Sequence, residues 1–85
     1  MSTDAAPTGV RAVVEVLARA LADRPDSVRV TESQHRQITL IEVFVSPDDI
    51  PKVIGRQGRT VKALRSLLYA AGQKRGRRYV LEIVE

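Results

Sequence analysis

Gly55-Arg56-Gln57-Gly58 has the make-up of a loop that holds a phosphate. Two glycines three apart let the backbone turn tightly with no Cβ in the way. The N–H groups opening a following helix then point outward, where the helix dipole favours an anion. Arg56 and Gln57 project from such a turn, one as a cation and one as a hydrogen-bonding amide. Gly-x-x-Gly is weak on its own, because at ~7% glycine it arises by chance in roughly a third of chains this long. Its setting carries the weight. Ile54 comes immediately before, Val61 is the third residue after the second glycine, and positions 51–81 hold nine basic side chains and no acidic one. Lys52, Arg59, Lys62 and Arg65 extend the positive field along both flanking segments. The chemistry expected is contact with a sugar-phosphate backbone, with bases turned onto an aliphatic groove. A nucleotide-binding Walker A loop is excluded by spacing, since it needs four residues between its glycines and then Gly-Lys.

Other candidates have plainer readings. His35, the single histidine, falls in a predicted turn beside Arg36. Asp48 and Asp49 are adjacent, so on a helix they face apart; capping accounts for them better than paired acid–base work. Ser46 has no nearby His and Asp to activate it. Tyr69 and Tyr79 read as core-edge residues, and with Phe44 they are the only aromatics, so an aromatic stacking surface is not expected. No catalytic constellation emerges, and the expectation is a protein that is not an enzyme and uses no cofactor or metal.

The elements that must position the loop follow from periodicity. Residues 1–8 read as a flexible tail with Thr8 a candidate N-cap, and residues 9–85 as one domain. Val10, Val13, Val14, Leu17 and Leu21 recur at helical spacing, with Arg11, Glu15 and Arg19 opposite. Pro25 ends that helix near Asp23. Val28 and Val30 alternate with Arg29 and Thr31 as a short strand, and Ser33-Gln34-His35-Arg36 reads as a turn. Residues 38–45 form the clearest strand, with Ile41, Val43 and Val45 on one face and Ile38, Leu40, Glu42 and Phe44 on the other. Ser46-Pro47-Asp48-Asp49 opens a short helix, with Ser46 as N-cap, that Gly55 ends. A second helix starts near Arg59 and buries Val61, Leu64, Leu68 and Ala71. Gly72 is its expected C-cap, Gly76 lies in a turn, and residues 79–84 are the last strand. The order is α-β-β-α-α-β.

Length and charge set bounds. A chain of 85 residues holds one small core, and a domain this short buries only about 60% of its unfolded surface. No cysteine is present, so disulfides, thiolate metal sites and thiol nucleophiles are out. No apolar run approaches the ~20 residues of a membrane span, and the N-terminus lacks a signal-peptide layout. A soluble, cytoplasmic protein without membrane insertion is expected. The net charge of +4 hides an asymmetry: residues 1–50 carry −3 and residues 51–81 carry +9. Such polarity suits a polyanion on one face.

Residues 53–61, Val-Ile-Gly-Arg-Gln-Gly-Arg-Thr-Val, resemble the signature of KH domains, and the strand–helix–loop–helix–strand around them resembles the KH core. The helix and strand placed before that core are similar to the bacterial type II arrangement. At this length, residues 9–84 resemble the small stand-alone bacterial KH proteins of the KhpA (YlqC-like) family. Arg56 stands where Lys is frequent and Val61 where Ile is usual, changes that keep the charge and the apolar role. The resemblance implies a type II KH α/β (α+β) sandwich, a three-stranded mixed sheet with three helices on one face; a right-handed crossover between its central and last strands would make those two parallel. It implies binding of single-stranded RNA, about four nucleotides per domain. Residue by residue, it implies that Gly55, Arg56, Gln57 and Gly58 clamp the backbone while Ile54 and Val61 support the loop. Lys74, Arg75, Arg77 and Arg78 look like the basic connection flanking the groove. Family members pair as homodimers and with a larger KH protein of the Jag/EloR type, in translation regulation and cell elongation or division, so these are the expected partners.

The reading reached is a non-catalytic single-stranded RNA binder, with single-stranded DNA as a further candidate ligand. The alternative is an adaptor that pairs with another KH protein and for which RNA is secondary. Ile38, Leu40, Phe44, Val80 and Val84 on the open sheet face, or Leu67 and Ala70 on the second helix, are the apolar surfaces expected to serve a dimer.

Overall fold

A computed structural model describes residues 9–85; the expected tail and the Thr8 cap lie outside the described residues. The elements are α1 (Gly9–Leu21), β1 (Arg29–His35), β2 (Ile38–Phe44), α2 (Ile50–Ile54), α3 (Arg59–Arg75) and β3 (Arg78–Val84). Single 3-10 turns at Pro25–Ser27 and Pro47–Asp49, and a left-handed turn at Arg56–Gly58, link them. The order is the α-β-β-α-α-β expected. β2 is the central strand, antiparallel to β1 and parallel to β3. A crossover through helices brings β3 back parallel, as a hairpin cannot. The result is the three-stranded mixed sheet with three helices of a type II KH fold.

The period-2 pattern of β2 decides which face is covered. Thr39, Ile41 and Val43 are fully buried, and Val30 of β1 and Leu81 of β3 join them. Against that face pack Val10, Val14 and Ala18 of α1, Val53 of α2, and Val61, Leu64 and Leu68 of α3. Fully burying one such side chain contributes roughly 1.5–3 kcal/mol, so the face fixes the register. The other face carries Ile38, Leu40, Glu42 and Phe44, with Ile38 exposed and the rest half-buried. The Arg29 guanidinium lies 5.0 Å from the Phe44 ring centroid and screens it.

Several local expectations are corrected. Ser33, Gln34 and His35 are strand rather than turn, because β1 is an edge strand whose outer side meets solvent. The turn is Arg36-Gln37 alone, with Arg36 at φ 60. Along α1 the buried stripe is Val10, Val14 and Ala18, while Val13 and Leu21 are exposed: the apolar surface is wider than the face covered. Gly72 does not cap α3. It is buried inside the helix, where a Cβ would run into the Arg77 carbonyl oxygen, and the left-handed cap is Gly76 at φ 66.

Ser46 makes no capping hydrogen bond, and Asp49 does not cap its own helix. Its carboxylate, 1% exposed, accepts the N–H groups of Asp23 at 3.2 Å and Arg24 at 3.0 Å. The Lys52 ammonium stands 3.8 Å away. Burial pushes this carboxyl up, but the two amides and the Lys52 and Arg24 charges outweigh it. The group therefore sits below its ordinary value of 3.8. Asp49 thus ties the α1–β1 connection to the start of α2, the helix that carries the loop.

Candidate nucleic-acid interface

The loop is a backbone device. α2 ends where the Gly55 N–H donates to the Pro51 carbonyl at 2.8 Å, and the Gly58 N–H then donates to the Gly55 carbonyl at 3.0 Å. Gly55 has φ 81 and ψ 167, a region in which only glycine is at ease, and a Cβ there would run into the Thr60 side chain and amide. Gln57 and Gly58 are left-handed at φ 57 and φ 71, so the chain reverses within one turn and α3 starts at Arg59. Arg56, Gln57 and Arg59 are exposed, and the Arg59 guanidinium donates to the Gln57 amide oxygen at 3.2 Å. No acidic side chain stands in the first turn of α3.

From the loop a groove runs between α3 and β3. Its near end is lined by Ile54, Val61, Arg65, Glu82 and Ile83. β3, with no strand beyond it, supplies the second wall. Arg65 spans the two walls, donating to the Leu81 carbonyl at 3.2 Å. The groove continues past Arg65 along Tyr69 and Gln73 to Arg77 and Arg78. Ile54, Val61, Arg65 and the loop are therefore brought together. Lys62 is exposed on the first turns of α3.

The remaining basic residues are spread more widely. Lys52 is 3.2 Å from Asp23, and so is engaged on the α1 side. Arg77 and Arg78 flank the groove, but at its far end, a full helix from the glycines. Arg77 also holds the sheet together: its Nε donates to Thr39 Oγ1 at 2.9 Å and its Nη2 to the Arg36 carbonyl at 3.2 Å. Lys74 is exposed, and Arg75 is exposed toward α1. Tyr69, Gln73 and Glu82 were not among the expected site residues. The four-residue spacing of Arg65, Tyr69 and Gln73 along α3 is the signal that could have found the last two.

Away from the groove, Val13 and Leu67 flank a shallow apolar hollow between α1 and α3 and are 55% and 58% exposed. Among the described residues, no helix is long and apolar enough to cross a membrane, and no cluster of His, Cys, Asp and Glu could hold a metal.

A sequence-family model described as "KhpA/KhpB, KH domain" matches residues 11–83. The chain is similar to the RNA-binding protein KhpA of Halalkalibacterium halodurans, 51% identical over 76 residues that make up 89% of this chain and 100% of the relative. It is also similar to the RNA-binding protein KhpA of Aquifex aeolicus, at 46% identity over 92% of this chain and 99% of that one. Among solved structures, a crystal structure of Era in complex with MgGDPNP and nucleotides 1506-1542 of 16S ribosomal RNA aligns with TM-score 0.57 and 21% identity. That alignment covers 87% of this chain but only 28% of the Era chain, and at such identity it bears on the fold alone.

Proposed function

The chain belongs to the KhpA/KhpB KH-domain family, and from that premise we propose that it is a non-catalytic single-stranded RNA-binding protein. Residues 55–58 clamp the sugar-phosphate backbone, and the bases lie along the groove between α3 and β3. The observation that carries this is the loop geometry. Gly55 at φ 81 and Gly58 at φ 71 turn the chain so that Arg56 and Gln57 are exposed, while Ile54 and Val61 on either side of the turn line the near end of the groove. Arg59, Lys62 and Arg65 supply phosphate contacts along α3, while Arg77 and Arg78, with Lys74 and Arg75 behind them, make the far end positive. Lys52, shared between Asp23 and Asp49, adds field more than contact. Both relatives named above carry the name RNA-binding protein, which supports RNA as the ligand. Matched RNA and DNA oligomers separate the two nucleic acids, because only a site that reads the 2′-OH distinguishes them.

The role this fits is a cytoplasmic post-transcriptional regulator or RNA chaperone, acting as a dimer or with a second, larger KH protein of the Jag/EloR type. One observation favours the adaptor as a second reading: the exposed Val13, Val16 and Leu67 give α1 and α3 an apolar surface that RNA binding does not use.

Fluorescence anisotropy of a labelled single-stranded RNA tests the clamp. The wild type is expected to bind with affinity that falls with salt at a log–log slope of about −0.7 per phosphate contacted. The double variant Arg56→Asp/Gln57→Asp, shown folded by circular dichroism, is expected to lose that binding. Equal binding by the two reduces the loop to a turn, and no binding by either makes the adaptor reading the stronger.

A further inference from the structure

The groove does not stop where a four-nucleotide clamp would. Its far section, bounded by Arg65, Tyr69, Gln73 and β3, encloses about 600 Å³ against about 250 Å³ beside the loop, and the two sections share Arg65 and Glu82. Tyr69 stands in the middle of the far section with 68% of its surface exposed. Tyr79 also lines this section, but it is half-buried and packs against the core. A large aromatic left open in a groove that holds Arg65, Arg77 and Arg78 against the single acid Glu82 is a platform for a planar, electron-poor ring. Arg65, Tyr69 and Gln73 follow one another at four-residue spacing along this wall, so a strand leaving the loop along α3 meets Tyr69 next after Arg65. From Gly58 to Tyr69 the helix rises about 16 Å.

We propose that Tyr69 is a second RNA subsite, on which a nucleobase stacks just beyond the segment clamped by residues 55–58, with Gln73 beside it as a hydrogen-bonding amide. This rests on the RNA reading above and deepens it, because it makes the footprint longer than the loop alone dictates. Stacking on a tyrosine tolerates any base, since every base has a π-face. The extension therefore adds affinity more than sequence preference.

The test is a length series of mixed-sequence RNAs of 4, 6, 8 and 12 nucleotides, titrated against the wild type, Tyr69→Ala, Tyr69→Phe and the Arg56→Asp/Gln57→Asp variant. Affinity of the wild type is expected to climb between 4 and 8 nucleotides. Tyr69→Ala should match the wild type on the 4-mer and bind the 8-mer about five-fold or more weakly, while Tyr69→Phe, which keeps the ring, stays close to the wild type throughout. Because the chain has two tyrosines and no tryptophan, the 8-mer should also quench tyrosine fluorescence in the wild type and leave it largely unchanged in Tyr69→Ala. If the wild type gains nothing with length, or Tyr69→Ala binds the 8-mer as the wild type does, the subsite is refuted while the clamp stands. If the wild type binds no RNA of any length, both fall. Loss of 4-mer binding in the loop variant, alongside its retention in Tyr69→Ala, separates the two sites.

Discussion

The two glycines of the loop are not equivalent, and the difference can be put in numbers. Gly55 has φ 81 and ψ 167, and a Cβ on it would stand 2.7 Å from the Thr60 Cβ and 2.9 Å from the Thr60 amide nitrogen. Gly58 has φ 71 and ψ 16, and the nearest atom to its Cβ would be the Val61 Cγ1 at 4.0 Å. Gly55→Ala therefore adds backbone strain of about 1–3 kcal/mol to a steric conflict of about 1–3 kcal/mol with the Thr60 Cβ and amide nitrogen, whose positions the helix backbone fixes. Gly58→Asn places a residue that tolerates the left-handed region into open space, at a cost of under about 1 kcal/mol. A domain of this length has about 4–13 kcal/mol in total. At a urea slope of about 1 kcal/mol/M, the unfolding midpoint should fall by ~2–6 M for Gly55→Ala and by under ~1 M for Gly58→Asn. Urea titration followed by circular dichroism reads this directly. Gly55→Ala as stable as Gly58→Asn would show that the loop relaxes freely, and the account of why Gly occupies position 55 would be wrong.

Gly72→Ala reverses the usual sign of its class. In an open helix the change gains ~1 kcal/mol, but here the new Cβ meets the Arg77 carbonyl, so a net loss of about 1–3 kcal/mol is expected, and a rise in melting temperature would refute it. Asp49 makes stability pH-dependent in a defined direction. Its folded-state value is depressed, so its contribution is fully present above the unfolded value near ~3.9 and is lost as pH falls through the lower folded value. Acid titration should therefore destabilise the wild type more steeply than Asp49→Asn below about pH 4, and parallel curves would contradict the assignment.

What could be read in advance was what is local. The alternation of Ile41, Val43 and Val45, the glycine turn and the order of elements depend on period and turn chemistry, which neighbouring residues set. What could not be read depends on what packs where. Helix α3 runs past Gly72 to the left-handed Gly76, and residue 72 is glycine because the chain leaving that cap folds the Arg77 carbonyl over it. Ser33, Gln34 and His35 have turn-like polarity, yet an edge strand accepts it. Lys52 and Arg77 looked equivalent to Arg56 as cations, and only the fold places Asp23 beside one and Thr39 beside the other. Tyr69 was read as core-edge, since nothing in a string of letters says which side of α3 stays open.

The parallel register between β2 and β3 carries a kinetic consequence. Ile38 pairs with Arg78 and Phe44 with Val84, so every rung of this ladder joins residues about 40 positions apart. The β1–β2 hairpin can zip within microseconds, but one wall of the groove exists only after both later helices have formed and folded back. Closing that long loop is the entropically expensive step, and it is the step that turns a collection of elements into a receptor. A ligand seated across α3 and β3 binds only the closed form and so shifts the balance between open and closed chains by mass action. RNA would then act as a clasp on the last strand to dock, and amide exchange along β3 would slow in proportion to its occupancy.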